Sequence, residues 1–237
     1  MDWFNETGYP FMMFTPQHLI PLACIALLIL LLYRFRKPLR QDAPVRAIRI
    51  GLVLLLLVFE ALLYGWYIYY GQFSLEASLP LQLCSIGYLL TIVMLLFPSY
   101  RLYEFLYFAG IGGALQALLT PAAILSGFPH FTYFYFFIGH GAIVWVALYM
   151  TWVHGYRPTL RSIGRVLLAL NVLLAVIVPV NLATGGNYMF VARKPPGPSL
   201  LDYLGPWPWY LLSLEAVAAA VFILLYLPFI RRRSSRQ

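Results

Sequence analysis

The sequence predicts an all-α membrane protein whose seven transmembrane helices form one domain over residues 1–237. Three observations support this class. The chain is 62% hydrophobic and only 10% charged, and its apolar runs reach about 20 residues, the length that spans a bilayer. Most of its basic residues stand in short segments between those runs, where they set topology. The net charge of +8 is therefore not a sign of nucleic-acid binding, and we expect no nucleic-acid partner.

The predicted spans follow one another with short connections, apart from one long loop before the last span. They cover Gln17–Tyr33, Ile48–Tyr69, Leu79–Phe97, Tyr103–Leu125, Phe131–Val153, Ser162–Ala183 and Trp209–Ile230. Tyr and Trp gather at the span ends, as in the aromatic belts of membrane proteins. The loop over 184–208 holds aromatic residues and prolines instead of a low-complexity polar run. We expect it to be partly folded over one face, as long functional loops are.

The distribution of basic residues predicts the orientation. Fourteen of the 16 Lys and Arg residues fall on one side of the predicted membrane, which the positive-inside rule makes cytoplasmic. The N-terminus and the 184–208 loop are then outside, and the C-terminus is inside. The basic tail at 231–237 is interpreted as a topology anchor. The other two basic residues, Arg193 and Lys194, lie on the outer side.

The third span opens with the segment Leu79–Leu90, which carries an amide and a thiol. Gln82 and Cys84 fall within its first two predicted turns, and polar side chains inside a bilayer are costly enough to suggest a function. Ser78 is a candidate helix cap, and a proline follows at position 80. The helix dipole would favour a thiolate at Cys84. A bridge between Cys24 and Cys84 is the structural alternative.

Other polar residues are predicted at a similar depth, in the outer half of the membrane. His140 lies near the middle of the fifth span, between two glycines. The remaining members, from other spans and from the outer loop, are Glu60, Gln116, Asn181, Asn187 and Glu215. Each could simply make one interhelical hydrogen bond, but a common depth favours a shared site. The residues do not have the spacing of a metal site, and we expect neither a metal nor a cofactor.

A cysteine and a histidine together suggest nucleophilic catalysis. A thiol attacks an ester as the thiolate, which a neighbouring base can generate. Cys84 is then the candidate nucleophile and His140 the candidate base, with Gln82, Asn181 or Asn187 as oxyanion donors. Arg193 and Lys194 are candidates for binding a lipid phosphate, although simple solvation in the loop would explain them equally.

Several motifs resemble those of the bacterial YwaF-like integral membrane proteins. They are L-P-L-Q-L-C at Leu79–Cys84, the mid-span His140, and the outer-loop motifs N-Y-M-F at Asn187–Phe190, K-P at Lys194–Pro195 and L-G-P-W-P-W-Y at Leu204–Tyr210. That family is distantly similar to an animal membrane enzyme that acylates ether-linked lysophospholipids with an active-site cysteine and a partner histidine. The resemblance implies a bacterial plasma-membrane location and assigns those two roles to Cys84 and His140.

Two functional hypotheses follow, and they differ in class. The first is a phospholipid acyltransferase or transacylase, with phospholipid and lysophospholipid as partners and with Glu60, Gln116 and Glu215 as supporting polar residues. The second is a proton-coupled transporter of a small molecule or lipid in which Glu60 and Glu215 titrate. A structural or sensor role, in which the polar residues only hold helices together, is a third interpretation. The sequence does not predict the lipid headgroup or the oligomeric state.

Overall fold

The computed structural model describes residues 3–40, 42–121, 126–195 and 200–230, and the regular structure in these ranges is entirely helical. The predicted basic tail at 231–237 and positions 196–199 of the long loop lie outside the described residues. The helices are α1 (Pro16–Phe35), α2 (Asp42–Tyr69), α3 (Leu83–Leu96), α4 (Tyr100–Phe105), α5 (Ile111–Leu119), α6 (Phe131–Trp152), α7 (Leu160–Thr184) and α8 (Trp209–Ile230).

Six helical stretches in the described ranges are long and apolar enough to cross a membrane. One of them, Tyr100–Leu119, joins α4 to α5 through a π-helical turn at Leu106–Gly110. The remaining apolar helix, α3, has 14 residues, so it is about 21 Å long against the roughly 30 Å of a bilayer core. The prediction of an all-helical multi-pass membrane protein is confirmed, while the count of seven spans and the orientation stay predictions.

Helix α6 lies at the centre and packs against α1, α2, α3 and α5. Two glycines let its neighbours approach closely. A Cβ atom at Gly139 would fall 2.7 Å from ring carbons of Tyr88 on α3, and one at Gly141 would fall 3.0 Å from Ile25 Cγ1 on α1. The glycines that flank His140 in the sequence are therefore contact points for two different helices.

One end of the bundle, which we call the basic end, is closed by hydrogen bonds between its helix termini. Arg49 Nε donates to the carbonyl of Leu95 at 2.8 Å, and the Tyr100 hydroxyl donates to the carbonyl of Arg157 at 2.6 Å. Glu104 is only 2% exposed and accepts from Ser162 Oγ and Arg165 Nη2. These bonds join α2 to α3 and α4 to α7.

The opposite end, which we call the loop end, carries two caps. The N-terminal cap, residues 3–14, is held by the Trp66 indole and the His130 imidazole, which both donate to the carbonyl of Asn5 at 3.0 Å. The loop cap comprises the described parts of residues 184–208. It contains short 3₁₀ turns at Tyr188–Phe190 and Leu200–Leu204 and covers the start of α3.

Helix α3 begins four residues later than the sequence predicts. Gln82, and not Ser78, is its N-cap residue, and Gln82 makes no side-chain capping bond. The preceding backbone bonds to tyrosines instead: Leu79 N–H donates to the Tyr188 hydroxyl, and the Tyr64 hydroxyl donates to the carbonyl of Ser78, both at 3.0 Å. Non-helical backbone at membrane depth is tolerated where protein surrounds it or a cavity adjoins it, and these bonds meet that requirement.

Candidate functional site

Burial changes abruptly along α3 and along the α4–α5 stretch. Residues Leu106–Ile111 are all buried, whereas Gly112 and Gly113 are half-buried and Gln116 is exposed. On α3, the residues from Gly87 towards the basic end are mostly buried, but those at 83–86 are half-exposed. We call the more exposed parts of these two segments, on the loop side of Gly87 and of Ile111, the loop-half cleft. It begins where the packed core ends.

Ile143 on α6 marks the floor of the loop-half cleft. Its Cδ1 atom is 3.4 Å from a Cβ position built at Gly87, and its Cγ2 atom is 3.0 Å from one built at Gly110. Further towards the loop end, Leu83 Cδ2 is 3.7 Å from a Cβ position at Gly113. Helix α3 and the π-helical turn before α5 therefore both contact α6 at Ile143, and α3 and α5 stay in contact one turn above it.

Cys84 and His140 occupy equivalent steps on two helices that run in the same direction. Near the loop end, Tyr88 of α3 stacks on Tyr135 of α6 with centroids 5.3 Å apart. At the basic end, Arg49 bonds the carbonyl of Leu95 and acts electrostatically on His154, just beyond α6. The two helices are thus parallel.

The packing register of α3 against α6 then places the two candidate catalytic residues relative to each other. Gly87 contacts Ile143, and stepping back three residues on each helix gives Cys84 and His140, about 4.5 Å nearer the loop end at 1.5 Å per residue. Both side chains are half-buried. Within the described residues no hydrogen bond joins the thiol to the imidazole. The structure places them at one level on helices that pack together.

The His140 imidazole has a defined tautomer. Its Nδ1 atom is 2.7 Å from the carbonyl oxygen of Phe136, one turn back on α6. A carbonyl only accepts, so Nδ1 carries the hydrogen and Nε2 presents its lone pair. Among the described residues Nε2 has no hydrogen-bond partner. The side chain therefore has the form that a general base requires.

Cys84 is the second residue of α3, because that helix begins at Leu83. The first N–H groups of a helix have no intrahelical acceptor. Within the described chain, the N–H groups of Leu83, Cys84 and Ser85 have no other backbone acceptor either. The thiol is free, as is that of Cys24, so the alternative of a disulfide between them is not realised.

Three predicted oxyanion donors belong to the loop cap or its anchor. Gln82 Oε1 accepts from Met189 N–H at 2.9 Å, which leaves its NH₂ group without a partner among the described residues. Asn181 donates to the carbonyl of Tyr188 at 3.0 Å and accepts its N–H at 2.8 Å. Asn187 donates to the carbonyl of Arg193 at 2.7 Å. The two asparagine amides therefore fold the cap.

The cap segment above α3 is locally strained. Met189 and Phe190 have φ angles of 57° and 52°, a left-handed conformation that costs side-chain-bearing residues energy. Tyr188, beside them, donates to the carbonyl of Leu75 at 2.8 Å, and burial raises its pKa above the usual value. The hydroxyl is therefore neutral and holds the segment over residues that lead into Cys84.

The remaining predicted polar residues occupy three separate places. Glu60 on α2 accepts from the Tyr135 hydroxyl at 3.0 Å. Glu215 on α8 accepts from Asn171 Nδ2 on α7 at 2.8 Å. Gln116 is exposed on the last turn of α5, with its Nε2 3.4 Å from Thr120 Oγ1. The structure therefore does not gather the two glutamates into one site.

The two outer cations lie on the loop cap in long ion pairs. Arg193 Nη2 is 3.9 Å from Glu76 Oε1, and Lys194 Nζ is 3.9 Å from Asp202 Oδ1. Exposed pairs of this kind contribute little stability, so an incoming phosphate could compete for either cation. Among the described residues, no group of three or more His, Cys, Asp and Glu side chains is arranged to hold a metal ion.

Sequence reasoning missed the tyrosines around Glu60. The hydroxyls of Tyr64, Tyr67, Tyr88 and Tyr135 all lie close enough to interact electrostatically with that carboxyl. In a sequence, tyrosine near a span end indicates an interfacial belt. The one signal for the cluster was the spacing of Tyr64 and Tyr67, which follow Glu60 by one and two turns of α2. The buried Glu104 of the basic end was missed as well.

The comparisons with known proteins give one result. The family model described as the TMEM164 family matches residues 13–226, which covers all eight helices apart from the last residues of α8. No curated protein and no solved structure matches the chain. The match supports the multi-pass membrane class, but it does not show the YwaF-like assignment, the acyltransferase activity or a bacterial inner-membrane location.

Proposed function

The chain belongs to the TMEM164 family, and from that premise we propose that it is a phospholipid acyltransferase. Cys84 takes an acyl chain from a phospholipid donor, and a lysophospholipid accepts it. The loop-half cleft is the site of both steps. The predicted orientation would put it in the outer half of the membrane, near the depth of phospholipid ester groups.

The register of Cys84 with His140 is the observation that carries this proposal. A nucleophile and a base must come within hydrogen-bond reach during the reaction, but catalytic hydrogen bonds are often longer before substrate binds. Both side chains are half-buried, one helical step above Ile143, and His140 Nε2 presents a lone pair because Nδ1–H is fixed to Phe136. Cys84 would approach Nε2 through a change of its own rotamer, which leaves the bond from His140 Nδ1–H to Phe136 intact.

The chemistry follows from these groups in two stages. Cys84 Sγ attacks the donor ester carbonyl while its proton passes to His140 Nε2. The tetrahedral intermediate collapses to a thioester, and the leaving alkoxide takes that proton and departs as a lysophospholipid. The hydroxyl of an acceptor lysophospholipid then loses its proton to Nε2 and attacks the thioester. The thiolate leaves and recovers the proton.

The free N–H groups of Cys84 and Ser85 are the best candidates for stabilising the oxyanion, because backbone donors at a helix start need no reorganisation. The unpartnered amide NH₂ of Gln82 is a third donor. We leave Asn181 and Asn187 out of this role, since their amide groups already hold the loop cap. Arg193 and Lys194 remain candidates for the phosphate, at the edge of the cap above the cleft.

The test compares the two cysteines of the chain in reconstituted vesicles. The donor is a phospholipid with a radiolabelled acyl chain, and the acceptor is an unlabelled lysophospholipid. We expect Cys84→Ala to lower transfer by at least about 10³-fold and to abolish protein-bound label that hydroxylamine releases. Cys24→Ala should leave both unchanged. Full transfer by a well-folded Cys84→Ala protein would contradict the mechanism.

Two other activities have distinct signatures in the same assay. A lipase would release free fatty acid when no acceptor is present and would show no preference for lysophospholipid. A proton-coupled transporter would move solute in vesicles with a dependence on Glu60 and Glu215 but not on Cys84. No observation favours transport, because the two glutamates are bonded within different helix pairs.

A further inference from the structure

A cavity lies on the face of α6 opposite Ile143. It is a groove of about 730 Å³ between α1, α2 and α6, and neither Cys84 nor His140 lines it. Residues on either side of His140 do, namely Ile138, Gly141 and Ala142. The groove is thus separate from the proposed catalytic centre and shares a wall with it.

The lining of the groove is apolar along nearly all of its length. Gln17 and Tyr133 bring polar groups to its loop end, where the Tyr133 hydroxyl donates to the carbonyl of Gln17 at 2.6 Å. Below them the walls are mainly hydrocarbon down to Leu28 and Trp145, and none of its described lining residues is charged. The polarity therefore matches an amphiphile whose polar end points to the loop end.

The dimensions of the groove decide what fits. The lining on α1 runs from Pro16 to Leu28, which is about 18 Å at 1.5 Å per residue. A volume of about 730 Å³ lies within the 300–1,000 Å³ of sites that bind small molecules. The length and the volume fit one extended acyl chain.

The position of the groove determines which ligand can reach it. Both α1 and α2 have the length and hydropathy of membrane spans, so the groove faces hydrocarbon. Apolar cavities stay dry and take up apolar ligands. We propose that the groove is a binding site for one acyl chain of a membrane phospholipid from the leaflet at the loop end. This inference does not depend on the proposed acyl transfer.

The experiment uses the full chain in nanodiscs that contain a small fraction of phospholipid with a diazirine in the middle of one acyl chain. After illumination, mass spectrometry maps the adducts. We expect adducts to concentrate several-fold on the groove walls of α1 and α6 relative to α7, where Leu168 and Val172 are 65% and 58% exposed but line no groove. Equal adduct density on the two surfaces would overturn the proposal.

Two neighbouring residues supply a matched pair of variants. Leu28 lines the groove and Leu27 does not, yet they are 53% and 55% exposed, so neither substitution disturbs a packed core. Leu28→Trp should lower adducts on the groove walls by at least about threefold, whereas Leu27→Trp should leave them unchanged. Equal effects of the two variants would refute a specific site.

A second copy of the chain is the competing occupant, and Cys24 reports on it because its thiol lines the groove. In the Cys84→Ala background it is the only cysteine. A helix seated in the groove would exclude the lipid probe and give Cys24–Cys24 dimers on oxidation, which would overturn the proposal. Monomer with intact adducts supports it.

Discussion

On the basic side of Ile143, α3 and the α4–α5 stretch are mostly buried, whereas on its loop side more of their residues are half-buried or exposed. In the packed half, hydrogen bonds near the helix ends hold the helices together. Arg49 donates to the carbonyl of Leu95, and the Tyr100 hydroxyl donates to the carbonyl of Arg157. The open half is spanned by two caps of irregular chain. The comparison teaches that one half supplies stability while the other can keep polar groups available for chemistry.

The largest expected effect concerns a polar group of the open half. His140→Ala should lower acyl transfer by about 10²–10⁴-fold, the range typical for removing a general base. The free energy of unfolding should change little, because within the described residues the ring makes one hydrogen bond, to Phe136 of its own helix. Transfer assays and thermal unfolding in detergent measure the two quantities.

The matched control is His18, which lies within a span but away from the cleft. It is completely buried and donates from Nε2 to the carbonyl of Leu118 at 2.8 Å. His18→Ala should reduce stability and leave the specific activity of the folded fraction intact. If the two histidine variants lost activity equally, the assignment of functions to separate parts of the chain would fail.

The second prediction compares packing in the two halves. Phe108 in the π turn is fully buried against Phe222 of α8, with ring centroids 5.3 Å apart. Phe108→Ala should cost about 3–5 kcal/mol of unfolding free energy, because it leaves a cavity. Leu115→Ala, at a residue that is 39% exposed, should cost less than about 1 kcal/mol. Denaturation in mixed micelles would test this, and equal losses would show that the loop half is packed after all.

The third prediction concerns the boundary between the halves. A Cβ at Gly139 would meet the Tyr88 ring at 2.7 Å, whereas nothing lies within 4 Å of one at Gly164 on α7. Gly139→Ala should destabilise by about 1–3 kcal/mol, because the ring is held by Tyr135 and must move. Gly164→Ala should instead stabilise by up to about 1 kcal/mol through helix propensity. Equal shifts in thermal midpoint would mean that the α3–α6 contact is loose.

Much of this fold follows from hydrophobic patterning, and particular residues show where the pattern no longer predicts the structure. The predicted span Phe131–Val153 differs from α6 by one residue, because a long apolar run has one way to satisfy its backbone in a membrane. The start of α3 was misplaced because Leu79 and Ser78 bond to Tyr188 and Tyr64. Those partners are distant in sequence, and no local signal reports them.

The candidate site was predictable in its depth but not in its connections. Counting along the predicted spans makes Cys84 the sixth residue of the third span and His140 the tenth of the fifth, so it puts both in the outer half without giving them one level. The use of Asn181 to fold the loop cap does not follow from the sequence, because an amide that binds backbone has the same sequence signature as one that binds substrate. The dependence of the N-terminal cap on His130 was also invisible, since its acceptor is the main-chain carbonyl of Asn5.

The smallest expected effect belongs to His154 at the basic end, just beyond α6. Burial, and then the nearby Arg49 guanidinium, lower the pKa of its imidazole below the usual 6.5. The unfolded chain therefore binds the proton more readily than the folded chain. The corresponding stability is fully present above about pH 6.5 and is lost as the pH falls below it. His154→Gln should reduce the slope of the thermal midpoint against pH below about pH 6.5. Transfer activity at pH 7.5 should not change. An unaltered slope in the variant would assign the acid sensitivity to another group.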